Sequence, residues 1–233
     1  MKTVGLVGGL GPESTVDYYR RILATWEAGA PGSAPSILIH SLDVQEGIRL
    51  VTHDRAGLLS YLLDSLHRLA GGGADFAALL ANTAHVVFDE LAERSPLPLV
   101  SIVEACAAEA DRRGHKRLGL LGTRFTMEAR FYPDVFGRRG IGVVSPEPAE
   151  QDWLHERYIG QLLQGEFRDD TREGVTGLIA RLRDRERVDG VILGGTELPL
   201  LLRDDRIADL PTLDTTVLHV EAIVARLRHG GGP

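Results

Sequence analysis

The constraint that narrows the fold most is a repeated register. GLVG at residues 5–8 returns as GLLG at 119–122, 114 positions later, and the same displacement carries Tyr18 to Tyr132, Asp75 to Asp189 and Leu79 to Leu193. The later LPLV and LPTL stretches, 97–100 and 210–213, keep the correspondence with a slip of one residue. A spacing held across four apolar runs marks internal duplication. The runs themselves, near 3–8, 36–42, 76–81, 98–102, 117–122, 141–145, 190–195 and 211–215, read as strands in two sets of four. Amphipathic stretches fill the intervals, with long helices expected over about 54–70 and 171–187, and the tail RHGGGP at 228–233 is expected to fray. Alternating strands and helices predict an α/β fold of parallel sheets. The duplication predicts two pseudo-symmetric lobes, one from 1–103 with 217–233 packing back and one from 104–216. A cleft lined by the carboxyl ends of both sets of strands is the expected ligand site.

Composition removes several classes of function. With 233 residues and 43% apolar side chains the chain can bury a real core. A net charge of −7 gives no general attraction for nucleic acid, and RLRDRER at 181–187 alternates bases with acids as a solvated helix face does. No apolar stretch reaches the ~20 residues of a spanning helix, and MKTVGLVGG lacks the apolar region of a signal peptide, so a cytoplasmic protein is expected. Cys106, the one cysteine, cannot form an internal disulfide; in VEACAAEA it reads as a small buried helix residue. Lysine occurs only as Lys2 and Lys116, each at the start of a strand and away from the ligand end of the sheet. A Schiff-base lysine, and with it pyridoxal phosphate, is therefore not expected. Metal-ligand spacings are absent as well, so the reading assigns no cofactor and no metal.

The offset pairs LLANTAH at 79–85 with LGGTELP at 193–199, setting Ala81 against Gly195, Asn82 against Thr196, and Thr83 against Glu197. Both are strand-to-helix turns, where freed amides and the helix dipole favour a carboxylate or phosphate. Asn82, Thr83 and Thr196 read either as ligand contacts or as plain helix caps. The glycines at 8, 9 and 11 let the chain turn tightly after the first strand, so backbone donors at Gly9 and Gly11 are candidates for an anionic ligand. Position 14 is Ser14, which breaks a dinucleotide fingerprint. Thr123 and Arg124 occupy the equivalent first turn of the second half; Arg124 reads equally as a surface residue.

VGGLGPEST with DYY at 7–15 and 17–19, ANTAH at 81–85, LGTRFTM at 121–127, GGTELPLLL at 194–202 and DTT at 214–216 resemble the aspartate/glutamate racemase family, in its aspartate-racemase-like branch. The match runs in order along nearly the whole chain. The resemblance implies a pair of α/β lobes that commonly dimerises and inverts an acidic amino acid without a cofactor. It further implies an acid and a base on opposite faces of the inverted carbon, both cysteines in the family. The matching positions here are Ala81 and Gly195, neither of which carries a proton. Arg49, in SLDVQEGIR, resembles the family's carboxylate-binding arginine, whose guanidinium holds a carboxylate bidentately. For a second cationic group the QGEFR segment offers only Arg168.

Glu197 and His85 are the remaining candidates for proton transfer, with Thr83 and Thr196 beside them. The plainer roles are a histidine that ties down its turn and a glutamate that complements a helix N-terminus. Loss of two thiols is also expected to enlarge the ligand space, with room for a bulkier carboxylate or a trapped water near Thr83, Thr196 and Glu197. Three functions stay open: an isomerase of acidic amino acids without thiols, a cofactor-free lyase, hydratase or cyclase run by Glu197 or His85, and a carboxylate-binding homologue without catalysis.

Overall fold

The computed structural model describes residues 2–228, so the expectation for the tail 229–233 lies outside the described residues. The chain divides into two compact units, one of residues 1–102 with 216–233 and one of 103–215.

In the first unit β1 (Thr3–Gly8) leads to α1 (Pro12–Gly29), β2 (Ser36–Ser41), α2 (Val44–His53) and α3 (Arg55–Gly71). Then follow β3 (Phe76–Leu79), a short 3-10 turn (Thr83–Val87), α4 (Phe88–Arg94) and β4 (Leu99–Val100). The strands lie parallel in the order β2-β1-β3-β4. β1 is apolar at nearly every position because helices cover both its faces. Val4 and Leu6 pack with Tyr18, Ile22 and Trp26 of α1, while Val7 packs with Leu58, Leu59, Leu62 and Leu66 of α3. Pro12 at the helix start and Glu13 in its first turn suit the N-terminus of α1, and Tyr18, Ile22 and Trp26 repeat at four-residue spacing on its buried face. Asp54 caps α3 by accepting the Gly57 amide at 2.8 Å.

The second unit begins in α5 (Ile102–Arg112), which starts at the boundary, and continues through β5 (Arg117–Leu121), α6 (Arg124–Glu128), α7 (Phe131–Gly137) and β6 (Gly142–Val144). It then runs through α8 (Pro148–Gly160), α9 (Asp169–Glu186), β7 (Gly190–Leu193), α10 (Leu198–Leu201), β8 (Arg206–Ile207) and β9 (Leu210–Asp214). The final helix α11 (Thr215–Arg228) returns to the first unit, where Val220, Ile223, Val224 and Leu227 join the core beside β1. Leu121, Val191 and Leu193 form a core with Leu154 and Tyr158 of α8 and Val175, Leu178 and Ile179 of α9.

The order β6-β5-β7-β9 repeats the order of the first sheet. The backbone bonds that close the strands repeat too: the Leu80 amide donates to Val7 O at 2.9 Å and the Gly194 amide to Leu121 O at 2.6 Å. Those partners stand 114 residues apart, which is the register read from the sequence.

Two expectations need correction. The second sheet has a fifth strand, β8, which pairs antiparallel with β9, so this sheet is not purely parallel. The hairpin turns on Ala208 and Asp209, both at positive φ (47° and 62°), without the Asn-Gly or Asp-Gly pair that usually announces such a turn. Strand pairing also stops earlier than expected, at Leu79 and Leu193, so Ala81 and Gly195 stand two residues beyond their strands.

Candidate active site

After β3 the chain enters a tight turn in which Asn82 is buried and adopts helical angles without a side-chain cap bond. Thr83 begins the 3-10 turn. His85 lies inside it, 2% exposed, and its Nδ1–H donates to Ala81 O at 3.0 Å. A carbonyl can only accept, so this bond fixes the tautomer. Phe88 stacks on the imidazole, 4.7 Å between centroids and 6° from parallel. Burial pushes the His85 pKa down to about 4, against weaker upward effects of the backbone carbonyls. The ring is thus neutral at pH 7 and ties down the turn, the plainer of its two expected roles. Burial has moved its titration away from neutrality rather than toward it.

After β7 the second turn runs Gly194, Gly195, Thr196, Glu197. Thr196 and Glu197 are buried, and Thr196 Oγ1 donates to Glu197 Oε2 at 3.1 Å. The Tyr158 hydroxyl, from α8, donates to the same oxygen. Glu197 stands just ahead of α10 but makes no side-chain cap bond, so helix capping is not what holds it. Two hydroxyl donors on one carboxylate oxygen, inside the protein, form a proton-bearing network whose every bond is strengthened by low local polarity. Burial first, then the Glu197 charge, holds the Tyr158 phenol well above its ordinary range, so it keeps its proton at physiological pH.

Tyr158 is the residue that sequence reasoning missed, and it overturns one expectation. A Cβ at position 195 would stand 2.5 Å from the Tyr158 hydroxyl oxygen and 2.6 Å from a ring carbon. The absence of a side chain there does not enlarge the site; the tyrosine fills the space. In the sequence, Tyr158 looks like one more core position, four residues after Leu154 on an amphipathic helix. The available signal was Gly195 itself, because a glycine just past a strand marks close approach by another group.

The other candidates fall in several places. The Gly9 amide, at a φ of 82°, donates to Thr15 Oγ1 at 2.9 Å, so the first glycine turn spends this donor internally. Gly11 precedes α1, and its carbonyl accepts from Ser14 Oγ and Thr15 Oγ1, both at 2.9 Å. Thr123 caps α6 by accepting the Thr126 amide at 3.3 Å. Arg124 is half-exposed and donates to Asp152 at 2.8 Å. Arg49 lies exposed on α2, where Glu46 takes two of its hydrogen bonds at 2.7 Å. Such a solvent-exposed pair is weakly held and readily exchanged for another carboxylate. Arg168 is matched in the same way by Glu166.

Cys106 is fully buried in α5, and burial, with Asp214 next, raises its thiol pKa far above the ordinary value. It is an inert core residue, as the sequence suggested. Among the described residues no cluster of three or more His, Cys, Asp or Glu could hold a metal ion, and no helix is long and apolar enough to cross a membrane.

A family model for Asp/Glu/hydantoin racemases matches residues 7–223. The chain belongs to that racemase family. Among its relatives is the broad specificity amino-acid racemase RacX of Bacillus subtilis, 24% identical over 232 residues that span 95% of this chain and 96% of the relative. A crystal structure of a putative Asp/Glu racemase from Yersinia pestis superposes with a TM-score of 0.86 at 31% identity, covering 98% of this chain and 100% of that one. An aspartate racemase homologue from Pyrococcus horikoshii gives 0.82 at 31% identity over the same shares of the two chains. Racemase-family membership thus extends across the two turns, which fall wholly within the matched region.

Proposed function

We propose that this racemase-family protein is a cofactor-independent isomerase of an acidic amino acid or related small carboxylate, working without a cysteine pair. By resemblance, Ala81 and Gly195 stand where the family carries its two thiols. A methyl group and a hydrogen cannot move a proton, so the work passes to neighbouring groups. The observation that carries the reading is the second turn, where buried Glu197 receives Thr196 and Tyr158 on one carboxylate oxygen. Proton transfer at carbon beside a carboxylate is slow without a positioned base, and an oriented, water-shielded carboxylate is such a group. Asn82, Thr83, Thr196 and Thr123, with the backbone at Gly9 and Gly11, are proposed to bind the ligand. Arg49 and Arg124 would exchange their carboxylate partners for it. His85 serves by holding its turn and offering a neutral imidazole. A cytoplasmic homodimer belongs to the same reading, and sedimentation of the purified protein checks the dimer.

The test is incubation in heavy water with both enantiomers of a panel of amino acids and hydroxy acids, followed by NMR at the α-carbon. Deuterium incorporation with inversion is expected. Elimination or rearrangement products would replace this reading with a lyase, hydratase or cyclase, and tight binding without exchange would leave a non-catalytic carboxylate binder.

A further inference from the structure

The space beside Gly195 is occupied by a hydroxyl group, and its identity has a chemical consequence. Tyr158 reaches the turn from α8, a different element, and its oxygen stands 2.5 Å from the point where a Cβ of residue 195 would be. The same oxygen accepts the Glu197 amide at 3.4 Å and donates to Glu197 Oε2. Tyrosine is 3% exposed and Glu197 2%, so the pair is shielded from bulk water. A tyrosine needed only to fill volume would be served as well by phenylalanine, without placing a polar group in the core.

We propose that the Tyr158 hydroxyl, backed by Glu197, is the proton-carrying group of the second turn, taking the place that a side chain at position 195 would otherwise fill. The inference rests on the isomerase reading above. In abstraction, the ligand Cα–H bond breaks and its electron pair remains on the carbon, delocalised into the adjacent carboxyl group. The released proton bonds to Tyr158 Oη as the phenolic proton passes to Glu197 Oε2. The carboxylate of Glu197 becomes neutral while the ligand gains the negative charge. On a carbanion that has lost its proton from the opposite face, the same movements run in reverse: Tyr158 Oη gives its proton to the carbon while Glu197 Oε2 returns one to the phenol, which inverts the centre. Return of the proton to the face it left gives exchange without inversion, and no atom changes oxidation state. The relay is required because a phenol that keeps its proton at neutral pH is not a base by itself; the carboxylate behind it supplies the missing basicity.

Heavy-water exchange with single enantiomers distinguishes this inference from the reading beneath it. Tyr158→Phe is expected to lower α-proton exchange at least about 100-fold while KM stays within about threefold, and Glu197→Gln to do the same. Tyr158→Ala is expected to be inactive. Combined with Gly195→Cys, which then has room for its side chain, it is expected to regain exchange. Circular dichroism establishes folding for each variant, and Glu197→Gln, which removes no core volume, serves if the Tyr158 variants do not fold. Exchange by Tyr158→Phe or Glu197→Gln at the wild-type rate would overturn the inference and leave the isomerase reading standing. Absence of exchange by the wild-type protein with every compound would overturn both.

Discussion

Asp75 and Asp189 hold equivalent amides in the two halves of the chain: the Thr3 N–H donates to Asp75 Oδ2 at 2.6 Å and the Arg117 N–H to Asp189 Oδ2 at 3.3 Å. The second aspartate does more. It also takes the Lys116 amide at 2.7 Å and the His115 Nδ1–H at 2.9 Å. His115 is 8% exposed, and its Nε2 has no hydrogen-bond partner among the described residues. Removing Asp189 would therefore strand a buried ring. Asp189→Ala is expected to cost about 2–3 kcal/mol and Asp75→Ala about 1 kcal/mol. Urea unfolding of both variants checks the difference; equal losses would show that His115 adds nothing.

Position 195 and Tyr158 are expected to be energetically coupled. Gly195→Ala forces a Cβ into the phenol and should destabilise the protein by about 1–3 kcal/mol. On a Tyr158→Ala background the same substitution should cost far less. A double-mutant cycle by denaturant unfolding reads the coupling, and additive effects would mean that the ring moves aside freely.

Two buried imidazoles predict how stability responds to acid. His85 is pushed down to about 4, chiefly by burial, and His219 to about 3 by burial with His85 adding to it. His219 is bonded on both nitrogens, to Tyr18 at 3.0 Å and to Val100 O at 3.1 Å. Their ordinary value is 6.5. Because the folded values are depressed, the neutral rings contribute fully above that value, and stability is lost as pH falls below it, when the unfolded chain takes up protons first. At pH 5 each histidine should cost about 2 kcal/mol relative to pH 7. Glu109, held down to about 2 first by its hydrogen bond to Arg112, stays ionised and does not obscure this window. Denaturation midpoints at pH 7 and 5 give the answer, with His219→Gln expected to flatten the slope.

Cys106 is expected to be silent. Its thiol, fully buried in α5, should resist a chromogenic disulfide reagent in the native protein and react stoichiometrically after unfolding. Cys106→Ser should leave α-proton exchange unchanged. Rapid native labelling would show that α5 opens.

What the sequence disclosed follows from what each feature depends on. β1, β3 and β7 were legible because strands covered on both faces must be apolar throughout, and duplication made each half a check on the other. The two turns were legible for the same reason. β8 was not, since two residues flanked by charged loop carry no alternation, and Ala208 and Asp209 adopt positive φ without the residues that favour it. Gly195 marked a close approach without naming the group that makes it: the role of Tyr158 arises from contact with residues 37 to 39 positions further along, which no local pattern encodes. The arginines illustrate a different limit: sequence fixes the charge of Arg49, whereas Glu46 beside it decides where that charge is spent.

The β8–β9 hairpin bears on behaviour at high concentration. A row of unpaired amides along β9 would invite a stray strand from another molecule. β8 is only two residues long, runs antiparallel and is fastened by Arg183 donating to Ala208 O at 2.8 Å, so it offers newcomers almost no template. Loosening that arginine would trade a closed flank for a sticky one, and turbidity of the stored protein would register the change before its folding did.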